Sequence, residues 1–375
     1  MDDDRSRRLY EELGVKPVIN CTRGHMTFLG GSILSPEVVQ AMAQANRYFV
    51  NMKDLLEQTG RVVAGLIGCE AAYVTPGCCA ALALGMAACI AGDDVEKLER
   101  IPDVTGMKHE VIVQKSLRSK YDRCVTVAGA RLIEVGDEKG TTPQQMEVAI
   151  GDRTVAIHYL APSRRNGPLS LEEVIQIAKR HGLPVIVDAS GQVYPLENMR
   201  SYTAMGVDLV GFGGKYFGGP NSTGLLCGRK DLVEAAALHS FIGFEARTYR
   251  AIGRPMKLDR QEIIAVVHAL RTWMTMDHQA RFATYQRQVA ELQGKLKGIP
   301  GLQMSPQGTP VSGLAVQLDE RALGKTAAQV ANDLREGSPA ILVNTEADTI
   351  GISMVTICDG DIPVIAERLE QALRQ

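Results

Sequence analysis

The sequence predicts an α/β fold: a mainly parallel sheet covered by helices, followed by a smaller α+β domain. Three observations carry this. Apolar runs such as Val185-Ile186-Val187 and Leu209-Val210-Gly211-Phe212 recur without polar alternation, as strands buried on both faces do. Helix-period segments lie between them, most cleanly at Ser170-Leu171-Glu172-Glu173, where the Ser and Glu side chains can satisfy each other's orphan amides. From about Lys257 the texture changes to one long helical region, Arg260 to Lys297, and then to strands of alternating burial. The expected division is an N-terminal arm over 1–35, a large α/β domain over 36–256, and a connecting helix with a small α+β domain over 257–375.

The elements follow in order. Ser35-Pro36-Glu37 combines a hydroxyl N-cap, a proline in the first turn and an acid near the positive end of the helix dipole. Helical periodicity runs to Ile67, and Gly68 ends it. Ala72 to Thr75 reads as a strand, Pro76-Gly77-Cys78-Cys79 as a turn, and Ala80 to Ala91 as a helix of small residues. Strands are expected at Glu110–Val113, Arg131–Val135 and Thr154–Tyr159. The capped helix then stops at Gly182, and the strand from Leu183 ends in Asp188. In the last part, Leu314–Leu318, Ala340–Val343 and Gly351–Met354 read as strands, and Ile362–Arg374 as the final helix.

Composition narrows the function. The 375 residues carry 41 basic against 43 acidic side chains, so the basic excess of a nucleic-acid binder is missing. At 45% hydrophobic the chain is too apolar for disorder. The acidic start, Met1-Asp2-Asp3-Asp4, is unlike a signal peptide. The apolar stretch from Ala80 to Ala91 is too short for a bilayer core of roughly 30 Å. The eight cysteines form no C-x-x-C pair and read as buried thiols of a reducing compartment, so the expected location is the cytoplasm. The histidines are scattered, and no metal site is expected. His158 reads as a core histidine; His109, His181, His268 and His278 read as surface residues.

Functional groups of open α/β sheets gather at the carboxyl ends of strands. Asp188 ends the most apolar strand, and Lys215 follows within Gly211-Phe212-Gly213-Gly214-Lys215-Tyr216-Phe217-Gly218-Gly219-Pro220. The loop is not a Walker motif, because Tyr216 stands where Ser or Thr is needed. An acid and a glycine-bedded lysine in this order suit pyridoxal phosphate: the amine forms a Schiff base and the carboxylate keeps the pyridine nitrogen protonated. The strand-to-helix turn at Gly77, Cys78 and Cys79 offers helix-start amides for the cofactor phosphate.

With these residues in hand, the chain resembles fold-type I PLP-dependent enzymes. Within them it is similar to the selenocysteine synthase (L-seryl-tRNA selenium transferase) family and its shorter relatives of the glucosaminate-6-phosphate ammonia-lyase type. The carrying motifs are Val18-Ile19-Asn20-Cys21-Thr22, Leu29-Gly30-Gly31-Ser32, Pro76-Gly77-Cys78-Cys79-Ala80, Val187-Asp188-Ala189-Ser190, Gly213-Gly214-Lys215 with Gly218 to Gly224, and Gly253-Arg254-Pro255-Met256-Lys257. Leu334 to Ile341 is similar too, so the likeness covers the chain from about residue 15 onward.

The resemblance implies a mainly parallel, seven-stranded-type sheet and a homo-oligomer with its site at a subunit interface. It makes Lys215 the Schiff-base lysine and Asp188 the pyridinium partner, and it places Gly77, Cys78, Cys79 and Ser190 at the phosphate. The shorter relatives often carry a ring-stacking histidine where this chain has Leu117. Selenocysteine synthase carries an extra N-terminal tRNA-binding segment, whereas the Ile-Asn-Cys-Thr motif here starts at Ile19; a small-molecule substrate is therefore expected. Candidates to bind it are Arg254, Lys257, Arg23, His25 and Arg164. The expected reaction is α,β-elimination from a hydroxylated or phosphorylated amino acid or amino-sugar acid, giving a 2-oxo acid and ammonia. Racemisation, transamination and a catalytically idle interaction protein are the alternatives.

Overall fold

A computed structural model of the protein describes residues 8–161, 168–247, 249–358 and 360–374. It divides into two compact units: one spans Leu34–Thr275, and the other joins the residues up to Ile33 with those from Met276 onward. Among the described residues, no helix is long and apolar enough to cross a membrane.

The short strand β1 (Val18–Asn20) belongs to the second unit. In the Leu34–Thr275 unit, α1 (Pro36–Ala45) is capped by the Ser35 hydroxyl, which accepts from the Val38 amide at 3.4 Å. Helix α2 (Met52–Ile67) starts at Asn51 and stops at Gly68 in the left-handed region. Strand β2 (Ala71–Thr75) then leads into α3 (Gly77–Ala91). This helix is apolar all round, and a helix without a polar face belongs inside. Almost every residue from Ala80 to Ala91 is buried.

After it come β3 (Glu110–Gln114), the single turn α4 (Arg123–Thr126), β4 (Arg131–Val135) and β5 (Thr154–Leu160). The capping box at Ser170 and Glu173 starts α5 (Leu171–His181), and Gly182 closes it at φ 64°. Strands β6 (Val185–Asp188), β7 (Leu209–Gly213) and β8 (Gly224–Gly228) complete the sheet, and α6 (Arg260–Thr275) ends the unit. The sheet order is β2-β8-β7-β6-β5-β3-β4. All pairs from β7 to β4 are parallel, while β8 runs antiparallel between β2 and β7. The seven-stranded, mainly parallel sheet agrees with the expectation. Strand β8 is an addition to the sequence reading.

The helical region expected over 260–297 is two helices: α6, and α7 (His278–Leu296), whose amide at Ala280 is capped by Asp277. The second unit also holds β9 (Leu302–Gln307), β10 (Gly313–Leu318), α8 (Ala327–Glu336), β11 (Ala340–Leu342), β12 (Asn344–Glu346), β13 (Thr349–Ser353) and α9 (Asp361–Arg374). Its main sheet is antiparallel, in the order β12-β13-β10-β9. The strand read at Ala340–Val343 is not part of it; β11 pairs in parallel with β1 from the other end of the chain.

Two expectations about side chains are corrected. Cys79 and Cys358 are exposed, whereas Cys21, Cys78 and Cys227 are buried; all eight cysteines are free thiols. His278, the first residue of α7, is buried rather than on the surface. Trp273 is core, as its apolar neighbours suggest, and its indole N–H donates to the Val193 carbonyl at 2.9 Å.

Candidate active site

The carboxyl edge of the seven-stranded sheet carries Asp188, Lys215 and the turn at Gly77–Cys79. Asp188 is the last residue of β6 and pairs in register with Gly211 of β7. Two residues past the end of β7, Lys215 sits in a 3₁₀ turn, Gly214–Phe217. The two strand ends are tied together: the Gly213 amide donates to the Ser190 carbonyl at 2.9 Å. Neighbouring parallel strands thus present an acid and an amine on one edge.

Asp188 is only 5% exposed, and its Oδ1 accepts from the Ser190 amide at 3.0 Å and from the Cys78 thiol at 3.6 Å. Burial and the neighbouring Asp188 charge push the Cys78 thiol up, so it stays a neutral donor. On β5, two residues before the partner of Asp188, His158 is buried with Nδ1 3.2 Å from the Ile186 carbonyl. A carbonyl only accepts, so Nδ1 carries the hydrogen. Burial holds the imidazole below its ordinary pKa against the pull of Asp188 and Asp122, which keeps it neutral. The neutral ring therefore puts no competing charge near the buried carboxylate.

Lys215 is half-buried, and burial lowers its pKa while the Cys79 sulfur opposes the shift. Its Nζ lies 5.2 Å from the centre of the Tyr216 ring. That ring lies over the glycines of both strand ends, within reach of a Cβ placed at Gly213 (3.1 Å) or Gly191 (3.6 Å).

The turn between β2 and α3 completes the edge. Gly77 opens α3 at φ 81°, a conformation that side chains with a Cβ rarely adopt. Pro76 before it gives no side-chain cap, which leaves the helix start to other acceptors. Strand β8 presses against this turn so closely that a Cβ on Gly224 would sit 2.4 Å from the Gly77 carbonyl carbon and 2.5 Å from the Cys78 nitrogen. Cys79, the third residue of the helix, is exposed, and the Cys124 thiol of α4, a helix that packs on α3, acts on it electrostatically. The Cys124 thiol, with the Lys215 charge, brings Cys79 down to about 7 against burial and Asp188.

A buried carboxylate, a desolvated amine and a glycine-opened helix start on one edge are the chemistry that pyridoxal phosphate requires for its ring nitrogen, aldehyde and phosphate. The residues present fit the group.

The remaining candidates fall as follows. Leu117 is 6% exposed in the 3₁₀ turn after β3, packed in the main core. Arg254 pairs with Glu245 at 2.5 Å, and Lys257 is exposed. In the second unit, Arg23 makes an exposed ion pair with Glu346 at 3.6 Å, and His25 Nδ1 lies 3.3 Å from the Gly31 carbonyl. Arg164 lies outside the described residues. Sequence reasoning missed Tyr216, His158 as a neighbour of Asp188, and Cys124. Tyr216 was signalled by its place beside Lys215; Cys124 had no local signal. A cavity of about 580 Å³ lies elsewhere in the same unit, lined by Leu56, Gly60, Tyr73, Val233 and Ile242 among others.

Comparison with known proteins agrees with this geometry. The chain is 31% identical over 377 residues to D-glucosaminate-6-phosphate ammonia lyase of Salmonella typhimurium, covering 97% of each chain. It is also 31% identical over 386 residues to 5'-C-glycyluridine monooxygenase-decarboxylase of a Streptomyces species, covering 97% of this chain and 92% of the relative. L-seryl-tRNA(Sec) selenium transferase of Moorella thermoacetica is 27% identical, with 97% of this chain and 84% of the relative covered. A solved structure of D-glucosaminate-6-phosphate ammonia-lyase superposes with a TM-score of 0.87 at 29% identity, over 97% of this chain and 98% of that one. Residues 38–333 match the model of the aminotransferase class-V family, and the chain belongs to that family.

Proposed function

We propose that the protein is a pyridoxal 5'-phosphate-dependent ammonia-lyase acting on a small amino acid or amino-sugar acid with a hydroxyl, or a phosphate elsewhere on the molecule. The observation that carries this reading is the full-length likeness to an ammonia-lyase in both sequence and structure. When bound, the cofactor supplies an electron sink for the carbon that bears the substrate amine.

The chain's own residues do the rest. Asp188 holds a proton at the pyridine nitrogen. The amides at Gly77, Cys78 and Cys79, with Ser190, orient the phosphate, and Leu117 supplies the apolar cover of the ring. Lys215 would hold the cofactor aldehyde, and its Nζ would take the substrate α-proton; burial, which lowers its pKa, favours the neutral base. The β-hydroxyl leaves with that proton as water. Water returns to hydrolyse the released enamine, so the net products are a 2-oxo acid and ammonia. Arg254, Lys257, Arg23, His25 and Arg164 are the cationic groups that we assign to the substrate's anionic ends. A homo-oligomer in the cytoplasm, with no nucleic-acid partner, completes the proposal.

A second reading has its own support: the equal identity to a monooxygenase-decarboxylase favours oxygen-consuming decarboxylation on the same scaffold. One experiment separates them. The purified protein is mixed with phosphorylated and unphosphorylated amino-sugar acids while ammonia, carbon dioxide and dissolved oxygen are followed. Ammonia with a 2-oxo acid and no oxygen uptake supports the lyase; oxygen uptake with carbon dioxide supports the alternative. Lys215→Ala should lose the visible absorption of the lysine-bound cofactor and at least ~10³-fold in turnover. A variant that kept both would overturn the assignment of Lys215.

A further inference from the structure

The lyase chemistry uses the Cys78 amide but assigns no task to its side chain, which is buried at the same edge. Cys78 is the second residue of α3, the helix that packs across β6 and β7. Its thiol donates to Asp188 Oδ1, with the sulfur 3.6 Å away. The same oxygen accepts from the Ser190 amide at 3.0 Å, and among the described residues Oδ2 accepts from none. Two donors therefore hold one carboxylate oxygen and leave the other for the pyridine nitrogen.

The sheet makes room for this sulfur. Gly211 of β7 pairs in register with Asp188, and a Cβ there would stand 2.9 Å from the Cys78 sulfur. A side chain at 211 would push the thiol off the carboxylate. Reach favours sulfur as well: 3.6 Å suits a thiol, whereas a hydroxyl needs its acceptor at roughly 2.5–3.0 Å.

We propose, resting on the pyridoxal phosphate reading of this edge, that Cys78 is a positioning residue whose thiol fixes the Asp188 carboxylate with Oδ2 toward the pyridine nitrogen. Its amide serves the phosphate, so one residue sets the spacing between the two ends of the cofactor's seat. The hold of Asp188 on the nitrogen's proton counts most in the transition state. Losing the thiol should therefore slow turnover without weakening substrate binding.

Infrared spectra of the full-length protein, without and with pyridoxal phosphate, test the contact itself and need no turnover. A thiol donating to a carboxylate has its S–H stretch drawn below the free-thiol position. One such low-frequency band should vanish in Cys78→Ser and in Cys78→Ala, and should move up in Asp188→Asn, where a weaker acceptor remains. A Cys78 band at the free-thiol position, or one that Asp188→Asn leaves in place, overturns the proposal.

Turnover of the cofactor-loaded protein then separates positioning from space filling. Cys78→Ala should lower kcat about 5- to 10-fold with KM held within about twofold. Cys78→Ser keeps a donor on a shorter arm and should recover part of that loss. A thiol that only fills space predicts the reverse order, because a hydroxyl buried without an acceptor is worse than a methyl group. Cys78→Ser at or below Cys78→Ala, or a loss confined to KM, overturns the proposal. A wild-type protein that releases no ammonia from any amino-sugar acid would sink the lyase reading instead, and the infrared result would stand. If Cys78→Ala fails to fold, Cys78→Ser still supplies the spectral blank.

Discussion

Strands β3, β6 and β7 of the large unit are buried at every position, whereas β13 of the small unit alternates between buried and half-buried residues and β9 is mostly exposed. A sheet covered on both faces has no face left for chemistry and offers only its strand ends. Asp188 and Lys215 stand at such ends. The antiparallel sheet of the small unit carries its core on Leu314, Val316, Ile350 and Ile352 and leaves polar groups along its other side. Position along a strand matters in the first sheet, and position across the strand in the second.

The largest effect that can break this comparison comes from an acid in each unit. Asp188→Asn removes a buried carboxylate from a strand end and should lower turnover by ~10²-fold or more. Asp348→Asn removes an exposed carboxylate that accepts from Gln317 at 3.0 Å beside β13, and turnover should stay within twofold. Paired activity assays check both. Equal losses would mean that strand-end burial is not what marks the functional acid.

Glycines give the next effect. Gly224→Ala places a Cβ 2.4 Å from the backbone of Gly77, so either β8 or the turn must move; thermal unfolding should show a loss of about 1–3 kcal/mol, with weaker cofactor retention. Gly351→Ala in β13 meets nothing closer than 3.7 Å, and its stability should change by less than about 0.5 kcal/mol. A destabilised Gly351→Ala with an unaffected Gly224→Ala would reverse the contrast.

The same difference decides what could be read from the chain. Strands buried on both faces leave continuous apolar runs, so β5, β6 and β7 were legible, and the two strand-end residues with them. Strand β8, Gly-Leu-Leu-Cys-Gly, was not: it is short, bounded by glycines, and sits antiparallel between β7, just before it, and β2, far back in the chain. Strand β11 was legible as a strand, but its partner β1 lies some three hundred residues earlier, beyond any local pattern. At the site, Lys215 and Asp188 announce themselves by neighbouring residues. Cys124 reaches Cys79 only because α4 packs on α3, which no spacing in the sequence encodes.

The smallest effect sharpens the contrast between a strand-end thiol and a buried one. Cys21 follows β1 in the small unit, fully buried, with burial and Asp361 pushing its thiol up; it should resist iodoacetamide until the protein unfolds. Cys79 should alkylate with a midpoint near pH 7, the rate rising with pH as the thiolate population grows. The groups that set this midpoint are Cys124, Lys215 and Asp188. Cys124→Ala removes the strongest stabiliser of the thiolate and should move the midpoint up; Lys215→Met should move it up by less, and Asp188→Asn should move it down. A wild-type midpoint in the ordinary thiol range near 8.5 would show that the edge does not activate Cys79. If the Lys215→Met shift exceeded that of Cys124→Ala, the amine rather than the paired thiol would hold the anion, and the second sulfur would be only a neighbour.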